Sequence, residues 1–226
     1  MLESPYKIDF YPVRTVKFLS GITGLLLIVH ISIGLLNRDV DTGFTRYLKR
    51  LFYLEMENNI PTFFSVCLWL FNAFLFSRIG ISQQSQGSRA GTWRFLACIF
   101  WLLAFDEFGS IHEQTIPYLQ GVFSASGCLH FAWVIPYGIG LLFMVAFMIP
   151  TFRKLDRHAC CWYGAATITF AAGAIGLEML AGLLLETVTM QHMAYFWLVT
   201  CEETLEMAGL VMLAYASSLT LAQRER

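Results

Sequence analysis

Six stretches of the chain stay apolar long enough to cross a bilayer, and this limits its fold more than any other feature. A hydrocarbon core about 30 Å thick is spanned by ~20 helical residues. The sequence offers such runs at about 16–36, 62–81, 93–111, 129–149, 161–185 and 193–219. The expected fold is all-α: a single transmembrane domain over residues 1–226, built as a polytopic bundle of six helices. Composition agrees, with 57% hydrophobic and only 14% charged residues, where soluble domains carry about 25% charged. The net charge of −1 offers no basic excess for a nucleic acid. The lipid bilayer is the expected partner.

The third run is the most interrupted. It is unbroken only over 95–105, after which come Asp106 and Glu107. The apolar run from Phe18 is too long for a cleavable signal and reads as the first span. Basic residues set the orientation. Lys7, Arg14, Lys17, Arg78, Arg89, Arg94, Arg153, Lys154, Arg157, Arg224 and Arg226 fall on one side; Arg38, Arg46, Lys49 and Arg50 fall on the other. That bias puts both termini in the cytoplasm. Residues 44–54 mix Tyr47, Leu48, Leu51 and Phe52 with the basic residues and predict an amphipathic helix on the outer surface. Residues 82–91 read as an inner loop.

Two further features are architectural. Pro136, with Gly138 and Gly140, predicts a kink in the fourth span. Ala171, Ala172, Gly173, Ala174 and Gly176 let a neighbouring helix approach the fifth closely. The six cysteines form no C-x-x-C, and Cys67, Cys98, Cys161 and Cys201 lie inside apolar runs, where they read as packing residues.

The chemistry lies in the acids. Asp106, Glu107, Glu178, Glu202, Glu203 and Glu206 all fall within spans. Each carboxylate near a helix centre costs roughly 2.5–3.5 kcal/mol, yet no Lys or Arg lies deep in any span. Protons, water, histidine or a bound cation must compensate. At about 1.5 Å per residue, the acids occupy the outer half of the bilayer down to its midplane. His30, His112, His130 and His192 lie at the same outer ends, and only His158 is on the inner side. At 100° per residue Asp106 and Glu113 share a stripe, with Ser110 beside it. Glu107 and His112 flank that stripe on opposite sides, so the two are not expected to reach one centre. Glu202 stands about 80° away from the stripe of His192, Tyr195, Glu203 and Glu206 and is expected to serve a different neighbour.

Carboxylates and imidazoles together suit Fe, Mn or Zn, and helix bundles build such sites from facing helices. The candidate metal ligands are Asp106, Glu113, Glu178, Glu203 and Glu206, with His112, His130 and His192. So carboxylate-rich a set favours one or two divalent Fe or Mn ions over Zn. Beside lipid, such a centre suits activation of oxygen or water against a lipidic or quinone-like substrate. Glu55, Glu57 and Glu186 read as helix caps or solvated acids. His112-Glu113 begins H-E-x-x-H, but Ile116 stands at its fifth position; five scattered histidines make no histidine box; Glu203-x-x-Glu206 has ferritin-like spacing without the histidine. Two other readings use the same residues: a proton-coupled or cation transporter, and an accessory subunit of a larger membrane complex.

The segments Leu54-Glu55-Met56-Glu57-Asn58-Asn59-Ile60-Pro61-Thr62, Phe105-Asp106-Glu107 with Ser110-Ile111-His112-Glu113, and Glu202-Glu203 with Glu206 and Gly209 carry a resemblance. From about residue 50 onward the chain resembles a group of bacterial multipass membrane proteins without an assigned activity. The resemblance implies a six-helix inner-membrane protein and brings no chemistry with it.

Overall fold

The computed structural model describes residues 11–36, 42–84 and 90–223; Lys7, Arg38, Arg89, Arg224 and Arg226 lie outside them. All regular structure among the described residues is helical. The long helices are α1 (Pro12–Leu36), α3 (Ile60–Gln84), α4 (Ala90–Gly109), α7 (Val134–Phe152), α8 (Arg157–Ala171) and α10 (Met193–Ala222). A π-helical turn (Ala172–Leu177) joins α8 to α9 (Glu178–Leu184), so that 157–184 is one continuous rod. Three short helices complete the set: α2 (Gly43–Phe52), α5 (Ile111–Gln114) and α6 (Ile116–Phe123).

Among the described residues, five helices are long and apolar enough to cross a membrane: Pro12–Leu36, Ile60–Gln83, Val134–Phe152, Arg157–Leu184 and Met193–Ala222. The sixth expected span, α4, has the length, at 20 residues, but carries Arg94, Asp106 and Glu107. Burial separates centre from periphery. In α3 and α10, 56% of the apolar window is buried, against 22% in α1 and 17% in α7. Phe18, Leu36, Leu142 and Ile168 point outward, which an apolar solvent tolerates and water does not.

The core lies where α3, α4, α8 and α10 meet. Trp93, Phe76 and Tyr163 are fully buried there, with Phe76 edge-on to Phe100 at 4.9 Å. Asn72 ties α3 to α10 by donating to the carbonyls of Leu68 and Leu210 at 2.9 and 3.0 Å. Ala73, Ala214 and Ala216 are buried where the helices close up. The small residues of the fifth span do the same: a Cβ added at Gly173 would meet the Glu202 carbonyl at 2.8 Å.

Several boundaries differ from expectation. α2 starts at a Thr42–Thr45 capping box and has the predicted two-sided character. The fourth span begins at Val134, after a 3-10 turn (Gly127–Leu129). Pro136 therefore sits in the first turn, where no N–H is needed, and makes no kink. α3 runs to Gln84 and α4 starts at Ala90, which shortens the expected 82–91 loop. Cys67, Cys98, Cys161 and Cys201 are exposed, so they face outward instead of packing the interior.

Candidate metal centre

At one end of the bundle the chain forms two caps. The first is the segment 53–59 between α2 and α3. Asn59 holds it by donating from Nδ2 to the Tyr53 carbonyl at 2.6 Å, while its Oδ1 accepts from the Thr62 N–H at 3.1 Å. His30 of α1 anchors it from below. Its Nδ1 accepts the Leu54 N–H at 3.1 Å and its Nε2 lies 3.0 Å from the Thr200 hydroxyl. Since Nδ1 accepts, Nε2 carries the proton and donates. Both nitrogens are engaged, and the ring stacks on Phe196 at 4.9 Å. His30 is a structural pin.

The second cap follows α4. That helix ends at Gly109, and Ser110 takes a left-handed conformation, φ 47°, which costs a non-glycine residue about 1–2 kcal/mol. The turn redirects the chain so that α5 does not continue the axis of α4. This overturns the single stripe expected through Asp106 and Glu113, with Ser110 beside it, which assumed an unbroken helix. It also brings Glu107 and His112, expected on opposite flanks, to one cavity.

Cap meets cap at Glu57. Its Oε2 accepts from the Ser110 hydroxyl at 3.2 Å and the Thr62 hydroxyl at 3.4 Å. Donor atoms of Glu57, His112 and Glu113 all lie within 4.8 Å of one another. Asp106 completes the arrangement from α4. Its Oδ2 is 2.9 Å from His112 Nδ1, and its Oδ1 accepts from the Tyr137 hydroxyl at 2.7 Å. With Nδ1 engaged, Nε2 is the imidazole nitrogen free to ligate, as in carboxylate–histidine–metal arrangements. Asp106, expected among the ligands, has both oxygens committed to orienting His112 and Tyr137. Trp133 lies edge-on to the His112 ring at 5.0 Å and donates from Nε1 to Glu178 Oε1 at 2.9 Å.

The three groups of the caps titrate abnormally. Burial works against a charged His112, but the hydrogen bond to Asp106 and the charges of Asp106, Glu107 and Glu113 outweigh it and hold the imidazole up at about 9. Burial, followed by the charge of Glu57, pushes Glu113 up to about 7. Burial also raises Glu57, against the opposing pull of His112 and its hydroxyl donors. At neutral pH this places a cationic imidazole among carboxyls reluctant to ionise, a set whose protons a metal ion would displace.

Below the caps lies a cavity of about 480 Å³. Its lining includes Glu57, Asp106, Glu107, Glu113, Glu178, Glu202, Glu203 and Glu206 with His112, and no Lys or Arg among the described residues. The rest is mostly apolar and aromatic, including Trp69, Phe100, Leu103, Tyr137, Met144 and Phe170. Of the expected ligands, Glu113, Glu178, Glu203, Glu206 and His112 line this cavity together with Asp106. Glu202, expected to serve a different neighbour, lines it too, because the elements around α10 present acids over a wide arc.

His130 and His192 are not part of the lining. His192 is exposed and caps α10, its Nδ1 accepting from the Ala194 N–H at 3.1 Å. His130 packs against Gly182, and its carbonyl accepts from Gln120 at 2.7 Å. Glu57 is the residue missed by the sequence reading. Its signal was the Asn58-Asn59 pair beside it, which supplies a left-handed residue (Asn58, φ 58°) and the cap of α3.

The chain belongs to DUF8692. This family, described as a domain of unknown function, matches residues 19–220. The matched region contains both caps and the entire acidic lining, so the site belongs to the DUF8692 part of the chain. No curated protein and no solved structure matches it.

Proposed function

We propose that this DUF8692 chain is a metal-dependent membrane enzyme whose divalent ion is held by Glu57, His112 and Glu113 and whose substrate is lipidic or quinone-like. The observation that carries this reading is the convergence of three donor atoms within 4.8 Å from two separate caps, with Asp106 fixing the imidazole from behind. Two carboxylates and one imidazole favour Fe or Mn over Zn. Bound there, the ion would supply Lewis acidity or redox chemistry. The protein's own groups hold the imidazole, present Tyr137 and Glu107 at the cavity wall, and line the same cavity with apolar and aromatic side chains beside the acids. A molecule with a polar head and an apolar body fits such a lining.

On this reading α4 is the sixth span. Its acids are tolerated because they face the cavity and not lipid. The excess of Lys and Arg puts both termini on the cytoplasmic side, in keeping with a bacterial inner membrane.

Elemental analysis of detergent-purified protein tests the proposal. Stoichiometric Fe or Mn is expected, falling sharply in Glu57→Gln and in His112→Ala. Protein that carries no metal and takes up no Mn²⁺ or Fe²⁺ after reduction and dialysis would remove it. Ion flux in proteoliposomes abolished by Glu203→Gln would favour a transporter instead.

A further inference from the structure

We infer that the cavity has a second cation position, at Glu178 and Glu202, and that it takes a hard divalent ion such as Mn²⁺. The inference rests on the proposed ion at Glu57, His112 and Glu113 and extends it.

Three observations converge. Glu202 is 93% buried, being 7% exposed, and lines the cavity with its Oε2 lacking any hydrogen-bond partner. Its carboxyl also meets that of Glu178 within hydrogen-bonding contact. Two carboxyl groups can sit so only with a proton or a cation between them. One oxygen of Glu178 is already occupied by Trp133, which fixes the carboxyl and leaves the other oxygen free.

The backbone explains how these acids meet. The π-helical turn at Ala172–Leu177 immediately precedes Glu178. One extra residue per turn rotates everything after it by about 100°, which aims Glu178 at α10 instead of along the face of α8. Gly173, inside that turn, lets the Glu202 carbonyl and the Glu206 stem close in; a Cβ there would lie 2.8 and 3.1 Å from them. Turns of this kind gather at functional sites. Both donors are carboxylates, and hard cations bind through one or two carboxylates while keeping several of their waters. Charge points the same way. Eight carboxyls and one imidazole line the cavity, so one divalent ion at the first position leaves most of these carboxyls without a cation.

The test is Mn²⁺ stoichiometry after stripping with chelator and reloading, in full-length protein in detergent. Wild type is expected to hold two ions per chain, and Glu202→Gln or Glu178→Gln one. Glu57→Gln is expected to hold one as well, the other one. Melting in chelator provides the fold control: the Gln variants should unfold at or above the wild-type temperature, since they remove a buried acid. A wild-type count of one, lost in Glu57→Gln and kept in Glu202→Gln, overturns the second position and leaves the first intact. A count of one with the opposite pattern overturns the first and keeps the second. No bound Mn²⁺ in any form overturns both.

Discussion

His112 Nδ1 lies 2.9 Å from Asp106 Oδ2, across the left-handed break at Ser110. The contact joins two segments that a continuous helix would have held apart, and it engages Nδ1, leaving Nε2 as the nitrogen free to ligate. Asp106→Asn keeps the shape but offers the ring a neutral partner. Removing such a partner typically weakens metal binding ~10–100-fold. A Mn²⁺ titration of the variant should show that loss, with a smaller one for Tyr137→Phe. An unchanged affinity would mean that His112 does not ligate through Nε2.

The pH response follows from the same groups. His112, held up at about 9 from its ordinary 6.5, stabilises the metal-stripped fold below pH 6.5. That contribution is lost as pH rises to about 9. Glu113, raised to about 7 from 4.5, acts in the same direction: the unfolded chain ionises first, so stability falls between pH 4.5 and 7. Glu57 from its own cap adds to that fall, its carboxyl also being raised. Asp106 and Glu107 of α4 face the imidazole as well. Metal binding has the opposite slope, because ligands must lose protons to bind. The melting temperature of stripped protein should fall from pH 5 to 9, while the increment from added Mn²⁺ grows. A flat profile that Asp106→Asn leaves unaltered would contradict this assignment.

The two histidines outside the cavity make a sharper comparison than further site mutants. His192→Asn retains an acceptor for the Ala194 N–H, and His192→Ala removes the cap at a cost of about 1 kcal/mol. Neither should alter metal content, and neither should His130→Gln. Loss of metal in either position would return these residues to the ligand set.

Much of the architecture was legible because apolar runs of span length leave few alternatives. Five of the six expected runs correspond to helices of the right length and composition. The acids could also be placed at one end by counting residues along straight helices. What counting could not supply was every departure from straightness. Ser110 has no residue-type signal for a left-handed turn, so Glu107 and His112 were assigned to opposite sides. The π-helical turn before Glu178 leaves the hydrophobic pattern of 161–185 intact, so its rotation was invisible. Glu57 looked like a solvated loop acid because the hydroxyls that hold it come from Thr62 and from Ser110, the latter distant in sequence. Histidines at span ends have other work in the fold: His30 and His192 each accept a backbone N–H at Nδ1.

Gly173 and Gly176 share the π-helical turn but meet different surroundings, which makes them a matched pair. A methyl at Gly173 would lie 2.8 Å from the Glu202 carbonyl and 3.1 Å from both Leu205 Cβ and Glu206 Cγ. Backbone must therefore move, at a typical overpacking cost of about 1–3 kcal/mol. At Gly176 the nearest atom is 3.9 Å away, so alanine fits and gains about 0.5–1 kcal/mol of helical preference. Gly173→Ala should lower the melting temperature by several degrees, and Gly176→Ala should hold or raise it. The same displacement carries Glu202 away from Glu178. Gly173→Ala should then lose one Mn²⁺ per chain while keeping the ion at Glu57, His112 and Glu113. If it lost stability but retained both ions, the close approach at Gly173 would serve packing alone.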